Sequence, residues 1–230
     1  MSVQRFRVWF RKGERVRYIS HLDVLRAWER AIRRAGLPLS YSQGFTPHPK
    51  IAFASPLPLG FLSEAEVMDI SLDERVEADE FRARLAPEST EDLAVLNVEE
   101  IAISAPPPQA ALLWADYNAD VPELGVDEAR GAAREFLLRA EFEWTDERKE
   151  KVRTYDLRRA VASLDAQPLD GGTRLTMRLQ ADKEMTARPE QVLAAVFPGF
   201  EATVYRRTGL VIDEPSPARD AWRRRGQYEG

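Results

Sequence analysis

The sequence contains no cysteine, and its 230 residues include only two histidines. The first absence excludes disulfides, thiolate zinc sites, a cysteine nucleophile and any iron–sulfur cluster carried by this chain. Redox chemistry, if it is involved, belongs to a partner. Long apolar runs are missing as well. Met1 to Gly13 alternates basic and apolar residues, which reads neither as a signal peptide nor as a membrane anchor. The expectation is a cytoplasmic protein with no membrane partner. No phosphate-cradling glycine loop, dinucleotide fingerprint, metalloprotease helix or nucleophile elbow is present, and Gly60 and Gly171-Gly172 read as turns. Aspartate and glutamate abound, but no spacing pairs them for acid–base catalysis or metal binding. No metal and no cofactor is therefore expected on this chain.

What is present suits a folded protein. Apolar residues make up 44% and charged residues 31%, enough for real cores under a solvated surface. At 230 residues, two compact domains of about 100 residues each are the natural expectation. The formal charge is −5, yet residues 1–50 hold eleven Lys/Arg against three Asp/Glu, a balance of +8. The remaining 180 residues thus carry −13, and a basic surface on an acidic protein is compatible with RNA, with no preference for DNA implied.

Arg5 to Arg11 alternates as a strand with Phe6, Val8 and Phe10 on one face. A helix follows, with Ser20 as N-cap and Asp23 three residues on, ending at Gly36-Leu37-Pro38. Leu25, Trp28, Ile32 and Ala35 share one side of it, while Arg26, Arg30, Arg33 and Arg34 project from the other. Strands at Lys50 to Ser55 and Glu66 to Leu72, a helix at Ala78 to Leu85 and a strand at Ala94 to Ile103 complete a β-α-β-β-α-β order. The proline run after Ser104 reads as an extended spacer. A similar order then begins again: a strand from Ala111, a helix from Asp127 to Arg139, a strand pair at Glu141 to Thr145 and Lys151 to Asp156, and a strand at Arg174 to Gln180. A helix entered at Pro189 and a closing strand at Ala202 to Arg207 finish it. The predicted class is α+β: two tandem ferredoxin-like (βαββαβ) domains over 1–104 and 111–212, a linker at 105–110 and a tail at 213–230.

Four features carry candidate chemistry. His21 and His48 titrate near neutral pH and can act as general acid and base in RNA cleavage, or can serve only as packing and loop-fixing residues. The loop from Ser42 to Lys50 combines Gln43, Gly44, Phe45, Thr46, His48 and Lys50. Such a set can stack a base on Phe45 while Lys50 meets phosphate, or can be a rigid loop with Phe45 buried. The arginine stripe Arg26, Arg30, Arg33 and Arg34 can track successive phosphates, or form a solvated face offset by Asp23 and Glu29. A second basic run, Arg148 to Arg153 with Arg158 and Arg159, fits an exposed edge strand equally well.

The strings Arg17-Tyr18-Ile19-Ser20-His21-Leu22-Asp23, Arg30-Ala31-Ile32-Arg33-Arg34-Ala35-Gly36-Leu37-Pro38, Ser42-Gln43-Gly44-Phe45-Thr46-Pro47-His48-Pro49-Lys50 and Pro56-Leu57-Pro58-Leu59-Gly60 occur in that order. Together they resemble the radical-SAM-associated family of uncharacterised bacterial proteins. The resemblance covers about residues 5–70 and implies a partner, a radical S-adenosylmethionine protein, in settings concerned with ribosomes and RNA. It supplies no substrate and no catalytic residue. The tandem architecture is also similar, at the level of fold, to the RAMP superfamily of repeat-processing ribonucleases, although their glycine-rich C-terminal loop is reduced here to Pro198-Gly199-Phe200. The leading expectation is an accessory RNA-binding or substrate-presenting protein beside a separate radical-SAM RNA-modifying enzyme. The alternatives are a metal-independent endoribonuclease using His21 and His48, and a pure protein-interaction module.

Overall fold

Strict alternation makes the first strand, β1 (Gln4–Lys12), and buries Phe6, Val8 and Phe10 on one face. The computed structural model describes residues 2–148 and 151–213. Helix α1 (His21–Arg34) starts at Ser20, whose hydroxyl accepts the Asp23 backbone N–H and donates to Asp23 Oδ2 at 2.7 Å. It stops at Gly36, which takes the positive φ (63°) that a side chain would resist. The buried stripe is Val24, Trp28, Ala31 and Ile32. Relative to the predicted stripe it is rotated slightly, leaving Leu25 and Ala35 half-buried at its margin.

Next come β2 (Ile51–Phe53), β3 (Leu62–Leu72), α2 (Ala78–Leu85) and β4 (Val95–Ile101). These strands lie in the order β4-β1-β3-β2, all antiparallel. The second half runs through α3 (Pro108–Ala111), β5 (Leu112–Pro122), α4 (Val126–Leu138), β6 (Glu143–Arg148) and β7 (Lys151–Asp156). It continues with β8 (Val161–Leu169), β9 (Gly172–Gln180), α5 (Pro189–Val196) and β10 (Val204–Ile212). Its strand order is β10-β5-β9-β8.

Strand β8 corrects the sequence reading, which passed over it and assigned its neighbourhood to the β6–β7 hairpin instead. The hairpin is a two-stranded sheet of its own. The alternation of β8 is interrupted by a register shift between Val161 and Ser163, and Pro168 masks its end. A proline is tolerated there because β8 closes the sheet as an edge strand.

The two halves share a single eight-stranded sheet. Strand β10 runs parallel to β3, with Arg206 opposite Leu62 and Arg207 opposite Ser63. Two apolar cores flank this seam. One gathers Phe6, Val8, Phe10, Trp28, Ile32, Met68, Ile70, Phe81 and Leu85; the other gathers Tyr117, Val121, Phe136, Leu164, Leu175, Met177 and Val192. The class is α+β, with a large mixed sheet and several helices.

The proline segment between the halves is fastened down rather than extended. The Arg5 guanidinium donates to the carbonyls of Ile103 (3.3 Å), Ala105 (3.0 Å) and Pro106 (2.7 Å), and Pro108 is buried at the start of α3. Among the described residues no helix is long and apolar enough to cross a membrane. The end of the predicted tail, including Trp222 and Arg223 to Arg225, lies outside the described residues, as do Lys149 and Glu150.

Candidate nucleic-acid interface

The sequence motifs fold back on one another around α1. Tyr41, at the neck of the polar loop, donates its hydroxyl to Glu29 Oε1 at 3.1 Å, and the same carboxylate oxygen takes Arg33 Nη2 at 3.0 Å. Loop and arginine stripe are thereby locked side by side. Tyr41, then Glu29, hold the Arg33 guanidinium above its ordinary range. The loop neck is closed by backbone: Tyr41 bridges Pro49, Ser42 N–H donates to the His48 carbonyl at 2.8 Å, and His48 N–H donates to Ser42 Oγ at 2.9 Å. Beyond this neck Gln43, Gly44, Phe45, Thr46 and Pro47 are exposed, and Phe45 is 108% exposed. The buried-phenylalanine alternative is thus overturned. His48 is exposed, and it secures the loop through its backbone rather than its imidazole.

The four arginines do not form an uncompensated basic stripe. Arg26 pairs with Asp23 at 3.4 Å and Arg33 with Glu29, while Arg34 turns away to Glu88, bonding its carboxylate and its carbonyl, both at 2.7 Å. Arg30 is exposed and has no hydrogen bond or ion pair among the described residues. Lys50 also departs from the predicted cluster. Its backbone joins Ser40 and Ser71, its amine donates to Ser2 Oγ at 3.0 Å, and it lines a separate cavity with Arg5 and Asp69. In the second basic run, Arg158 is committed to the carbonyls of Leu137 and Val161, Arg159 to Asp156 and Arg153 to the Glu184 carbonyl. The side chains at the tip of that hairpin lie outside the described residues.

His21 stands elsewhere, at the first turn of α1, edge-on to Phe53 with ring centroids 4.8 Å apart. It lines a cavity of about 10 Å³ with Lys12, Leu57 and Glu66, room for at most one water. Burial lowers its pKa, and the nearby Glu66 charge opposes this only partly. No hydrogen bond, ion pair or ring contact joins His21 to His48 among the described residues.

Behind His21 lies a polar cluster that motif reading missed. Lys12 donates to the carbonyls of Arg17 (2.8 Å) and Phe61 (3.4 Å), and desolvation lowers its pKa. Glu66 receives Arg207 Nη1 at 2.9 and 3.1 Å, and Arg207 also donates to Tyr117 Oη at 3.1 Å and to the Ser55 carbonyl at 3.2 Å. Burial opposes the charge on Arg207, but Glu66 and Tyr117 outweigh it and raise its pKa. A signal did exist: Lys12 continues the phase of Phe6, Val8 and Phe10, and Glu66 shares that of Met68, Ile70 and Leu72, so both put charge on a core-facing position. Among the described residues no group of three or more His, Asp or Glu is placed to hold a metal ion.

Fold and site together define an α+β protein whose two halves share one mixed sheet and whose first half presents an aromatic loop beside a partly neutralised arginine helix. The chain belongs to the family described as "Uncharacterized protein conserved in bacteria (DUF2344)", which matches residues 5–189. No curated protein matches it. Among solved structures it is similar to a chain of a Cbf5–Nop10–Gar1 complex, with a TM-score of 0.51 and 12% identity over 91% of this chain and 50% of that one. It is also similar to a chain of an archaeal box H/ACA sRNP Nop10–Cbf5 complex (0.46, 15% identity, 91% and 49% covered). A third is an H/ACA RNP bound to a substrate RNA containing 2′-deoxyuridine (0.47, 14%, 97% and 56%). The chain spans about half the length of these neighbours, and the likeness is one of fold.

Proposed function

We propose that this protein is an accessory RNA-binding module that holds single-stranded RNA against the exposed face of α1 and the Ser42–Lys50 loop. The observation that carries this reading is Phe45, fully exposed at the tip of a loop whose neck is hydrogen-bonded shut and tied to α1. A phenyl ring left in water is unfavourable unless something stacks on it, and a closed neck reduces the backbone ordering that binding would cost. Gln43, Thr46 and His48 are exposed in the same loop and carry polar atoms for base edges, and Arg30 offers a cation without a partner among the described residues for a phosphate. The likeness to a chain of a Cbf5–Nop10–Gar1 complex is one of fold, and the RNA reading rests on the loop and α1. A radical S-adenosylmethionine protein as working partner rests on the motif resemblance alone, and a cytoplasmic location goes with that reading. Each half is read as one ferredoxin-like unit, on the strength of the repeated strand order.

Binding of a fluorescent short single-stranded RNA, followed by anisotropy, tests the proposal. Phe45→Ala is expected to weaken it by about 1–3 kcal/mol, the value of one base stack, with the fold intact by circular dichroism. Wild-type affinity retained by that variant contradicts it.

A second reading, a protein-docking face, is favoured by a separate patch. Tyr18 and Leu59 are 70% and 64% exposed on either side of Gly60, and Leu22, 59% exposed, stands in the first turn of α1. Co-purification that survives nuclease and is lost in Tyr18→Ser supports that surface; a complex abolished by nuclease does not.

A further inference from the structure

Strand β10 ends at Ile212, and the Asp213 backbone N–H donates to the Ala111 carbonyl at 2.6 Å. Asp213 thereby comes to line a cavity of about 270 Å³ beside β4 and the segment 102–106. The apolar walls of this cavity are accessible: Ile101 and Ala105 are half-buried and Pro106 is exposed. Its carboxylates include Glu99 and Glu100, both exposed. Arg7, the guanidinium in the lining, is buried and committed to Asp69 at 2.8 Å. Glu99 stands opposite Arg7 in the strand register, yet its carboxylate meets the Asn97 amide at 2.8 Å and no cation among the described residues. Glu100 pairs with Arg75 at 3.5 Å, a contact between exposed groups that binds weakly. The recess is therefore apolar inside and negative at its rim.

Strand β4 is also an edge of the large sheet, with β1 on one side and no strand on the other among the described residues. Leu96 is exposed on it and Ile103 just beyond its end. An open edge with apolar side chains invites pairing with foreign chains, so a segment that covers it is favoured. The sequence supplies one of matching chemistry. Past Asp213 come Trp222, Arg223, Arg224 and Arg225, a large aromatic side chain followed by three consecutive cations. Trp222 is nine residues beyond Asp213, at most about 30 Å of extended chain, so the segment is tied close to the recess at which it departs. So short a tether sets an effective concentration on the order of millimolar, and a weak contact is then well populated.

We infer that the segment Trp222–Arg225 folds back onto the edge of β4, with its indole against Ile101, Ala105 and Pro106 and its guanidinium groups on Glu99 and Glu100. The contact is independent of the RNA reading. It covers the open edge and neutralises carboxylates that have little compensation of their own. RNA does not suit this recess, because the rim repels phosphate. A second copy of the chain carries the same charges, but the tether favours the segment that leaves from Asp213 of the same molecule.

Because the chain has no cysteine, Gln227→Cys places a single nitroxide label on the full-length protein, and paramagnetic loss of amide signal is read in ¹H–¹⁵N spectra. The expected result is selective loss at Glu99, Glu100, Ile101 and Ala102, with α4 spared, and recovery of the signals at about 1 M salt, where the screening length is about 3 Å. Arg223→Glu, Arg224→Glu and Arg225→Glu together are expected to abolish the effect, and adding Glu99→Arg and Glu100→Arg to restore it. Signal loss on β4 that the reversal leaves unchanged is what a loose tether alone gives, and it overturns the contact. Loss centred instead on α1 and Phe45 overturns it in favour of a tail that covers the proposed RNA face. Loss that appears when spin-labelled chains are mixed with unlabelled ¹⁵N chains overturns it in favour of a second copy.

Discussion

Arg207 occupies a strand position where alternation calls for an apolar side chain, and it is 1% exposed. Its charge survives burial because Glu66 and Tyr117 meet it from strands on either side, making the parallel contact between β10 and β3 an electrostatic seam as well as a hydrogen-bonded one. Arg207→Met strands the Glu66 carboxylate in the interior. The expected loss is about 3–5 kcal/mol in urea unfolding, with much of it restored by adding Glu66→Leu. A single variant within about 0.5 kcal/mol of wild type contradicts this account.

His21 supports a pH prediction. Its pKa lies below the ordinary 6.5, so the folded state binds its proton less readily than the unfolded chain. Stability is therefore full above about pH 6.5 and declines as the pH falls toward the lowered folded value. Urea midpoints measured down that range are expected to fall less in His21→Gln than in wild type. Parallel pH profiles would remove the argument. At this scale much was readable: Lys12 and Glu66 break the apolar phase of their own strands. The partner of Glu66 was not, because only the long-range pairing of β10 with β3 brings Arg207 there.

Helix α1 shows how far local rules reach. Its cap, its end and its basic face follow from Ser20, Gly36 and the arginine spacing, and all three are present. Ser20→Ala removes the acceptor for Asp23 N–H, with an expected cost of about 0.5–2 kcal/mol in thermal or urea unfolding. No change would mean that tertiary packing alone sets the helix start. What the spacing did not disclose is where each arginine goes. Asp23 and Glu29 were visible as same-helix partners, but Glu88 lies 54 residues away from Arg34 and reaches it only through the packing of the segment after α2 against α1. The exposure of Phe45 was likewise undetermined, since a phenylalanine in a polar loop fits a buried anchor as well as a presented ring. The neck bonds of Ser42 and the Tyr41–Glu29 contact decided it. Strand β8 was lost for the opposite reason: its own sequence weakens the period that would reveal it.

Across the molecule, the excess of +8 in residues 1–50 does not become a broad positive surface. Arg5 and Arg7 are bound to Asp69, Arg17 to Glu14 and the Gly60 carbonyl, and Lys12 to the interior. The exposed ion pairs of α1 are individually weak, about 0–1 kcal/mol, yet their carboxylates stay beside the arginines and cancel the local field. Under the proposed function, RNA recognition on this surface rests on stacking and on Arg30, the stripe arginine without a partner among the described residues, rather than on long-range attraction. Such a surface gives RNA binding a shallow salt dependence, where four engaged arginines would give a steep one.

The salt dependence of RNA binding is the most direct measurement. A plot of log affinity for a short single-stranded RNA against log salt is predicted to fall with a slope near −0.7, one phosphate neutralised, with Phe45→Ala lowering the line without changing its slope. A slope of about −3, as four engaged arginines give, or affinity indifferent to Phe45, would contradict the account.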